Sequence, residues 1–410
     1  MGETTADSDF KGFEHVEFFR DTNIDFLGKK WYFLAFSLVF SVAGVFSMLF
    51  WHGVPLGVDF RGGTLVHVKF ANPPNEDQLR TTLQNAGLRN FRIQQLRSGG
   101  ANEELISLDE KETTEQSLDQ GQQRIVDALA GSGSSSAAAG KLDLNNSSKA
   151  KVVAFLLNKD PLRLGTDANA KYTAEADAIL NYRNVTKGGV LNSFDELSAV
   201  TKPEIVAALK DGCSLASFAV KNVEIVGPQV GKQLQNQAKL AVLYSLLGML
   251  IYLGFRFELI YGVAAVLTVF HDTLITVGAF SLTNKEISLT VIAAILTLIG
   301  YSNNDTIVVF DRIAENLKQL RREKLADVVN KSINQTLSRT ILTAGLTFLT
   351  VLALYLFGGQ VLHDFSFALV IGILIGTYSS IAVAAPILVA YQEWRAEKAG
   401  TKPLAARAKA

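Results

Sequence analysis

Six apolar segments constrain what this chain can fold into more than any other feature of its sequence. They cover residues 31–51, 238–255, 259–282, 287–310, 340–358 and 365–391. A helix needs about 20 apolar residues to cross the hydrocarbon core of a bilayer. The second segment is shorter, but the Lys239 side chain can extend its ammonium group to the interface so that the helix still spans. The sequence therefore predicts a polytopic α-helical membrane protein with six transmembrane helices.

The composition narrows the functions that are open to the chain. Its 39 Lys and Arg residues balance 39 Asp and Glu residues, which disfavours a nucleic-acid-binding protein. The single cysteine, Cys213, excludes an intrachain disulfide and a multi-cysteine zinc site. No nucleotide-binding loop, metal-ligand spacing or nucleophile with a base occurs in the sequence. We therefore expect no enzyme, no cofactor and no metal, and an ion gradient or a partner as the energy source.

Lysine and arginine residues in the short connections predict the orientation in the membrane. They cluster before the first apolar segment, between the fourth and the fifth, and after the sixth. Short cytoplasmic connections carry such an excess. The sequence therefore predicts a cytoplasmic segment 1–30, a cytoplasmic tail 393–410 and an external region 52–235. No small-residue cleavage pattern follows the first segment, so an uncleaved anchor is expected rather than a signal peptide.

The external region is predicted to be a small α+β domain inserted between helices 1 and 2. Val66, Val68 and Phe70 alternate with polar residues, as in a half-buried strand, after a glycine-rich turn at 57–63. Further strand patterns cover 91–96, 105–108 and 221–226, and helical patterns cover 76–86 and 117–130. The order of strand, helix, strand, strand and helix is typical of a ferredoxin-like fold.

An insertion near 109–200 interrupts this domain. Residues 131–140 are all small, which predicts a flexible linker. Short helical patterns follow around 152–157, 174–182 and 203–209, without a motif that indicates chemistry.

Asp305 places a carboxyl group inside the fourth apolar segment. An Asp at the centre of a membrane helix costs about 2.5–3.5 kcal/mol on insertion scales, so such a residue usually faces the bundle interior or a water path. The alternative is that Asp305 lies at the cytoplasmic end of the helix, because it is roughly 10 Å from the segment centre at about 1.5 Å per residue. Asp311 and Arg312 are better placed for the interface, which favours a buried, proton-carrying Asp305.

Arg339 directly precedes the fifth apolar segment. The antiparallel path of the chain brings it to the depth of Asp305, so the sequence predicts that the two side chains can pair. A role as a cytoplasmic anchor is the alternative. The uncharged residues 332–338 favour a helix that begins before Arg339 and carries it into the bundle. Residues 312–338 also repeat apolar residues between basic ones, which predicts a helix lying on the cytoplasmic surface.

His271 and Asp272 fall near the middle of the third apolar segment, where neither is stable in lipid. Two interpretations stay open. They are secondary candidates for proton coupling, or they form a structural hydrogen bond between helices. A face of small residues in the sixth segment predicts close helix packing. That face consists of Gly372, Gly376, Ser379 and Ser380.

Several motifs resemble those of the SecF family, which provides subunits of the bacterial protein-export machinery and belongs to the resistance-nodulation-division superfamily. The matching stretches are residues 25–29, 57–63, 223–231, 300–312, 339–340 and 376–380. They include Gly57, Asp59, Phe60, Gly62, Gly63, Gly227, Pro228, Gly231, Gly300, Asp311 and Arg312. Each stretch is weak evidence alone, but together they are specific.

The resemblance implies a subunit that pairs with SecD in the lipid of the bacterial inner membrane and works with the SecYEG channel and the SecA motor. Proton flow is then expected to move the external domains, which hold unfolded preprotein. The proton-linked acid and arginine of the family correspond to Asp305 and Arg339. Two other classes stay open: a half-size proton-coupled exporter of a small molecule or lipid, and a membrane-anchored scaffold without proton coupling.

The chain departs from the family pattern in three places. Asn303 stands where the family usually has an apolar residue, so the surroundings of Asp305 are more polar. Ala314 replaces a usual arginine. The external region is also longer than usual, and the excess falls around 109–200.

Overall fold

The structure is a computed structural model that describes residues 22–88, 90–95, 102–109, 124–131, 141–165, 168–320 and 322–398. Within these ranges, six helical spans are long and apolar enough to cross a membrane. They are Lys30–Trp51, Pro228–Arg256, Leu259–Leu282, Leu289–Gln319, Leu325–Phe357 and Val361–Arg395. The predicted six membrane helices are therefore all present.

The first span leads directly into the domain between spans one and two. It consists of α1 (Lys30–Phe46) and a π-helical turn at Ser47–Trp51. A single helical turn, α2 (Val58–Arg61), then occupies the stretch where the sequence predicted a turn. The rest of this extramembrane domain comprises β1 (Gly63–Phe70), α3 (Glu76–Asn85), β2 (Phe91–Gln95), β3 (Glu103–Leu108), α4 (124–131), β4 (Leu142–Asp143), α5 (Lys149–Lys159), α6 (Ala168–Asn181), α7 (Pro203–Gly212), β5 (Cys213–Ser214) and β6 (Phe218–Val226).

Four of these strands form one antiparallel sheet in the order β2-β3-β1-β6. With α3 and α4 in the connections, this is the strand order of a ferredoxin-like fold, and the prediction is confirmed. Alternation sets the register, because Val66 faces Ile106 across β1 and β3 and both are fully buried. Leu83 of α3 completes this core, which lies on one face of the sheet.

The insertion folds into a helical subdomain with a core of its own. Leu156, Tyr172, Ile179 and Leu209 from its three helices are fully buried together. The three predicted helices are present, each longer than predicted. The subdomain is fastened to the sheet, because Asn146 accepts a hydrogen bond from the Val220 amide of β6. The predicted linker at 131–140 falls, apart from residue 131, outside the described residues.

The remaining spans form the membrane bundle. Its helices are α8 (Pro228–Arg256), α9 (Leu259–Leu282), α10 (Leu289–Gln319), α11 (Leu325–Phe357), α12 (Gly359–Ser379) and α13 (Ala385–Lys398), with a π-helical turn at Ser380–Ala384. The most apolar windows of α9, α10 and the last span are 50%, 44% and 56% buried, against 6% for α8. The spans α9, α10 and the last span therefore form the centre of the bundle, and α8 lies at its periphery.

The helices α10 and α11 are longer than the apolar segments that predicted them. The prediction of a separate surface helix over 312–338 is wrong, because α10 runs on to Gln319 and α11 starts at Leu325. The two extensions pack on each other and bury Ile313 and Val329 in the core of the bundle rather than against lipid. The same extension confirms a helix that begins before Arg339.

The bundle has a domain end and an opposite end. The domain end carries the extramembrane domain and the connection between α9 and α10, where Glu286 meets Ser107 of β3. The opposite end carries residues 22–29, the turn between α8 and α9, and residues 320 and 322–324 between α10 and α11.

Candidate proton-coupling site

Asp305 lies inside the bundle. The residue is 3% exposed, and its Oδ2 atom has no hydrogen-bond partner among the described residues. Because α10 continues to Gln319, Asp305 does not lie at a frayed helix end. A bare carboxylate at such a place carries a large desolvation cost unless it finds a partner. The position therefore suits a group that binds and releases a proton.

Arg339 lies on α11, the neighbour of α10. Arg339 is exposed to solvent in this chain. No ion pair within 4.0 Å joins it to Asp305 in the described part of the chain. Arg339 is nevertheless the charged side chain whose field acts on Asp305. The pairing that the sequence predicts is absent from the arrangement seen here, although both side chains lie on packed neighbouring helices.

Arg339 instead lines a polar cavity of about 500 Å³ towards the opposite end. The cavity wall also includes Ile307 and Val308, in the helical turn that follows Asp305. Asp311 lies on the same wall and pairs with Arg256 at 3.1 Å. The cavity thus begins within about one helical turn of the buried carboxyl group.

A second carboxyl group, Asp272, lies in the middle of α9 and is fully buried. Its Oδ2 atom accepts hydrogen bonds from Ser302 Oγ of α10 at 2.6 Å and from Ser379 Oγ of α12 at 2.8 Å. The Nδ1 atom of His271 lies 3.0 Å from its Oδ1 atom. Asp272 therefore joins the three central spans through hydrogen bonds between helices, which is one of the two interpretations that the sequence left open.

Small residues on α12 let α10 approach this site. A Cβ atom on Gly376 would lie 3.0 Å from the Cβ atom of Ser302. A Cβ atom on Gly372 would lie 2.4 Å from Leu298 Cδ2. The prediction of close packing at this face of α12 is confirmed.

The domain end of α10 is bonded to the extramembrane domain through Asp59. The Leu289 amide, at the first position of α10, donates to Asp59 Oδ2 at 2.7 Å. An acidic side chain at this position satisfies an amide without a helical partner and interacts favourably with the helix dipole. The Gly57 amide also donates to the Ile287 carbonyl at 2.9 Å. The helix that carries Asp305 is therefore tied to the domain at its first residue.

Glu286 forms a second tie between α10 and the domain. Ser107 of β3 donates to its Oε1 atom at 3.1 Å. Burial raises the pKa of Glu286, while this hydrogen bond and the nearby Arg92 and Arg61 oppose the rise. The connection before α10 is thus held by groups from α2, β2 and β3.

Comparison with known proteins places the chain in a family. The profile described as "Protein export membrane protein SecD/SecF, C-terminal" matches residues 206–394. The protein translocase subunit SecF of Koribacter versatilis is 63% identical over 394 residues, which cover 95% of this chain and 96% of that protein. The chain belongs to the SecF family. The SecF of Calditerrivibrio nitroreducens is 38% identical and matches 90% of this chain and 94% of its own.

Solved structures agree with the SecF assignment. SecDF from Thermus thermophilus, titled a translocon-associated membrane protein, aligns with a TM-score of 0.62 at 30% identity over 91% of this chain. A second SecDF structure, in a super-membrane-facing form, aligns with a TM-score of 0.53 at 30% identity over 93% of this chain. The chain spans 39% and 40% of those two solved chains. The six apolar spans and the SecF relatives together make it a multi-pass membrane protein.

The glycine-rich SecF motif forms a close contact between α2 and the start of α8. Gly62 has a φ of 77°, and a Cβ atom there would lie 2.5 Å from the Pro228 Cα atom. A Cβ atom on Gly231 would lie 2.9 Å from the Gly62 amide nitrogen. Phe60 is buried in the membrane core cluster beneath this contact. Larger residues at these glycines would separate the domain from the bundle.

The motif at residues 25–29 crosses the opposite end of the bundle. Asn334 of α11 accepts from the Ile24 amide at 2.9 Å, and Asn330 accepts from the Phe26 amide at 2.9 Å. Both asparagines donate to the Ile24 carbonyl. Residues 22–29 form an N-terminal strap. The strap is thus hydrogen-bonded to α11, the helix that carries Arg339.

The sequence reasoning missed four residues that position these groups. Ser302 and Ser379 bind Asp272, and Asn330 and Asn334 bind the strap. A signal was present in the spacing, because Ser302 precedes Asp305 by three residues and therefore shares its helix face. The asparagines lay in the stretch that was predicted to be a surface helix.

Proposed function

We propose that this chain is a proton-driven accessory subunit of the bacterial protein-export machinery. It pairs with SecD, works beside the SecYEG channel and the SecA motor, and uses the proton motive force to promote the movement of unfolded preprotein. The name SecDF of the solved relatives and its description as translocon-associated motivate these partners. The proposal describes a transport subunit rather than an enzyme.

One observation carries the proposal. The buried, incompletely bonded carboxyl group of Asp305 sits on the same helix whose first residue is bonded to the extramembrane domain by Asp59. A change of charge at Asp305 that shifts α10 along its axis is therefore passed to the domain. Packed helices move as rigid elements between discrete arrangements, so a small shift is transmitted over the length of α10.

The switch operates between Asp305 and Arg339. Without its proton, Asp305 is a buried charge that attracts the guanidinium group from the neighbouring helix. With the proton bound, the attraction is lost and Arg339 turns to the polar cavity. The arrangement described above, with Asp305 unpaired and Arg339 exposed, corresponds in this proposal to the proton-loaded state. Movement of one charge through the membrane field contributes about 2.3 kcal/mol per 100 mV.

The surface of α10 leaves room for SecD. Although α10 is a central helix, one of its faces is exposed in this chain and carries small or polar residues. That face consists of Ala293, Thr297, Gly300 and Asn304. A Cβ atom on Gly300 would meet nothing within 4 Å, so a helix of a second subunit can approach closely there. The partner then covers this exposed face of α10, which includes Asn304, the residue before the buried Asp305.

The proposed location is the bacterial inner membrane, with both termini cytoplasmic and the extramembrane domain outside. The basic residues between α10 and α11 and after the last span motivate this orientation. A proton that enters from outside therefore arrives at the domain end and leaves towards the cavity beside Arg339.

Replacing Asp305 tests the function. Asp305→Asn is neutral and similar in shape, so it should keep assembly with SecD and abolish the part of preprotein movement that the proton gradient drives. Movement driven by ATP through the motor should continue. The measurement is late-stage translocation into inverted membrane vesicles with and without an uncoupler.

A matched control is available on α11. Asp327 is exposed in the first turn of that helix, so Asp327→Asn makes the same chemical change away from the bundle interior. It should leave the uncoupler-sensitive movement intact. An assembled Asp305→Asn complex that kept a normal uncoupler-sensitive component would exclude the proton switch.

A further inference from the structure

The buried carboxyl group of Asp272 has bonds that a purely structural contact does not need. Two serine hydroxyls from two other spans converge on its Oδ2 atom, at 2.6 and 2.8 Å. The Nδ1 atom of His271 faces its other oxygen, while the Nε2 atom of His271 is buried without a hydrogen-bond partner among the described residues. One oxygen atom of Asp272 thus lies within hydrogen-bond distance of two hydroxyl groups from two neighbouring helices.

We propose that Asp272 is a second proton-binding group and that it exchanges its proton with Asp305 through the hydroxyl group of Ser302. The inference rests on the proposed function and names the group that loads Asp305. Asp272 receives the proton first, and Asp305 receives it from Asp272.

The position of Ser302 is what links the two acids. Ser302 donates to Asp272 across the contact between α9 and α10. Residues three apart on a helix are surface neighbours, with Cβ atoms about 5–6 Å apart, so Ser302 also lies beside Asp305. Asp305 Oδ2 has no partner among the described residues and is free to receive a hydrogen bond. A rotation of the serine hydroxyl connects one acid with the other.

The order of the acids along the membrane sets the direction. Helix α10 begins at the domain end with Leu289, so Asp305 lies beyond Ser302 by three residues, or about 4.5 Å of helix rise. Asp272 is bonded at the level of Ser302. A proton that enters from the domain end therefore reaches Asp272 before Asp305, and Asp305 lies nearer the cavity beside Arg339.

The transfer balances without any further reactant. The protonated Asp272 gives its proton to Ser302 Oγ, and in the same step the proton that Ser302 carried passes to the Asp305 carboxylate. One O–H bond breaks and one forms at the serine, so the serine stays neutral. The net result is one proton moved, with Asp272 charged and Asp305 neutral. The Ser379 hydroxyl remains bonded to Asp272 and stabilises its charge after transfer.

The ionisable side chains around the relay are few in the described bundle interior. His271 faces Asp272 from the same helix, Asp305 and the Tyr301 hydroxyl near it lie on α10, and Arg339 lies on the neighbouring α11. From α12, Ser379 faces Asp272, whereas the Tyr378 hydroxyl is turned away to the Phe33 carbonyl of α1. The bound proton is thus shared among groups that this chain itself supplies.

Ser302→Ala tests the relay without removing either acid. It deletes one hydroxyl at the contact with Gly376, so the bundle has no added bulk to accommodate. We expect the uncoupler-sensitive translocation to fall by about tenfold or more, because the proton loses its bridging group. Ser380→Ala is the matched control, since the Ser380 hydroxyl donates within its own span, to the Thr377 carbonyl. It should leave the uncoupler-sensitive component unchanged.

Asp272→Asn and infrared spectroscopy test the acid itself. In purified complex with SecD, a pH step should change two buried carboxylic acid bands, of which Asp305→Asn removes one and Asp272→Asn the other. If Asp272 had only a structural role, its protonation would not change in the pH step and no band would depend on it. A normal uncoupler-sensitive component in assembled Ser302→Ala, or no carboxyl band that depends on Asp272, would overturn the proposal. If Asp305→Asn alone kept normal activity, the proposed function would fail instead.

Discussion

Three of the buried carboxyl groups in the described part of the chain differ in what surrounds them. Asp272 accepts hydroxyl donors from two helices, whereas Asp305 has an oxygen atom without a partner among the described residues. Glu104 lies outside the membrane, on β3, where neither carboxyl oxygen has a partner among the described residues and the residue is fully buried. It occupies a core position opposite Val68. A charge is least stable where no donor compensates its lost hydration.

Glu104 should therefore make the domain less stable at high pH. Burial raises its pKa to about 7, and the nearby Glu76 adds to the rise. In the unfolded chain the pKa of a glutamate is about 4.3, so the folded domain binds more protons between these values. The free energy of unfolding then falls as the pH rises through that window. Glu104→Gln stays neutral. Because about 2.7 pKa units separate the folded and unfolded states, at about 1.36 kcal/mol per unit, we expect this variant to stabilise the domain by roughly 3–4 kcal/mol at pH 8.

The measurement is denaturant unfolding of the extramembrane domain in the detergent-solubilised protein, followed by circular dichroism. At about pH 4, Glu104→Gln and the unchanged protein should have similar free energies of unfolding. At this pH Glu104 is neutral in the folded state and largely neutral in the unfolded state, as glutamine always is. Glu76→Gln is the control and should have a smaller effect, because Glu76 is the second cause of the shift. An equal gain at both pH values would contradict the charge explanation.

Helix α10 is the element that connects the parts of the mechanism. Its first residue is bonded to Asp59, its middle carries Ser302 and Asp305, and its far end lines the cavity with Asp311. Helix α11 is bonded to another part of the chain at the opposite end, where Asn330 and Asn334 accept hydrogen bonds from the N-terminal strap. The two helices that carry the proposed switch are thus each fastened at one end to another part of the chain.

Removing the Asp59 cap should uncouple the domain from α10. Asp59→Ala deletes the acceptor of the Leu289 amide, which costs about 0.5–2 kcal/mol for a helix cap. We expect normal assembly and normal ATP-driven translocation, with a reduced uncoupler-sensitive component. Asp59→Asn is the matched control, because its amide oxygen still accepts the hydrogen bond and loses only the interaction of the charge with the helix dipole. Equal activities for the two variants and the unchanged protein would argue against this link.

At the scale of the whole molecule, the described residues form three cores. The bundle, the ferredoxin-like sheet and the helical insertion subdomain each bury their own apolar cluster. The insertion subdomain is attached to β6 by hydrogen bonds of side chains such as Asn146, rather than through a shared core. It therefore lengthens the extramembrane domain without altering the sheet that contacts the bundle.

The orientation in the membrane is testable with a single cysteine in this subdomain. The natural Cys213 is buried, and burial raises its pKa to about 12, so it should stay unlabelled. Val185 is 75% exposed, so Val185→Cys should react with a membrane-impermeant maleimide in spheroplasts without lysis. Glu323→Cys, at the break between α10 and α11, should react only after lysis. The reversed pattern would invert the proposed topology.

The sequence alone determined the number of spans, the succession of strands and helices along the domain, and the acids inside the bundle. Apolar length and the alternation along strands are local properties, so they are legible without tertiary contacts. The burial of Asp305 also followed from its distance to the charged residues Asp311 and Arg312. Each of these properties is fixed by residues close together in the chain.

The tertiary structure decided what those groups touch. The donors to Asp272 come from residues 30 and 107 positions away, and the bond from Leu289 to Asp59 spans 230 positions. A single sequence carries no record of such pairings. The error at 312–338 has the same origin, because an apolar stripe between basic residues fits a lipid surface as well as a neighbouring helix. Only the packing of α10 on α11 distinguished the two environments.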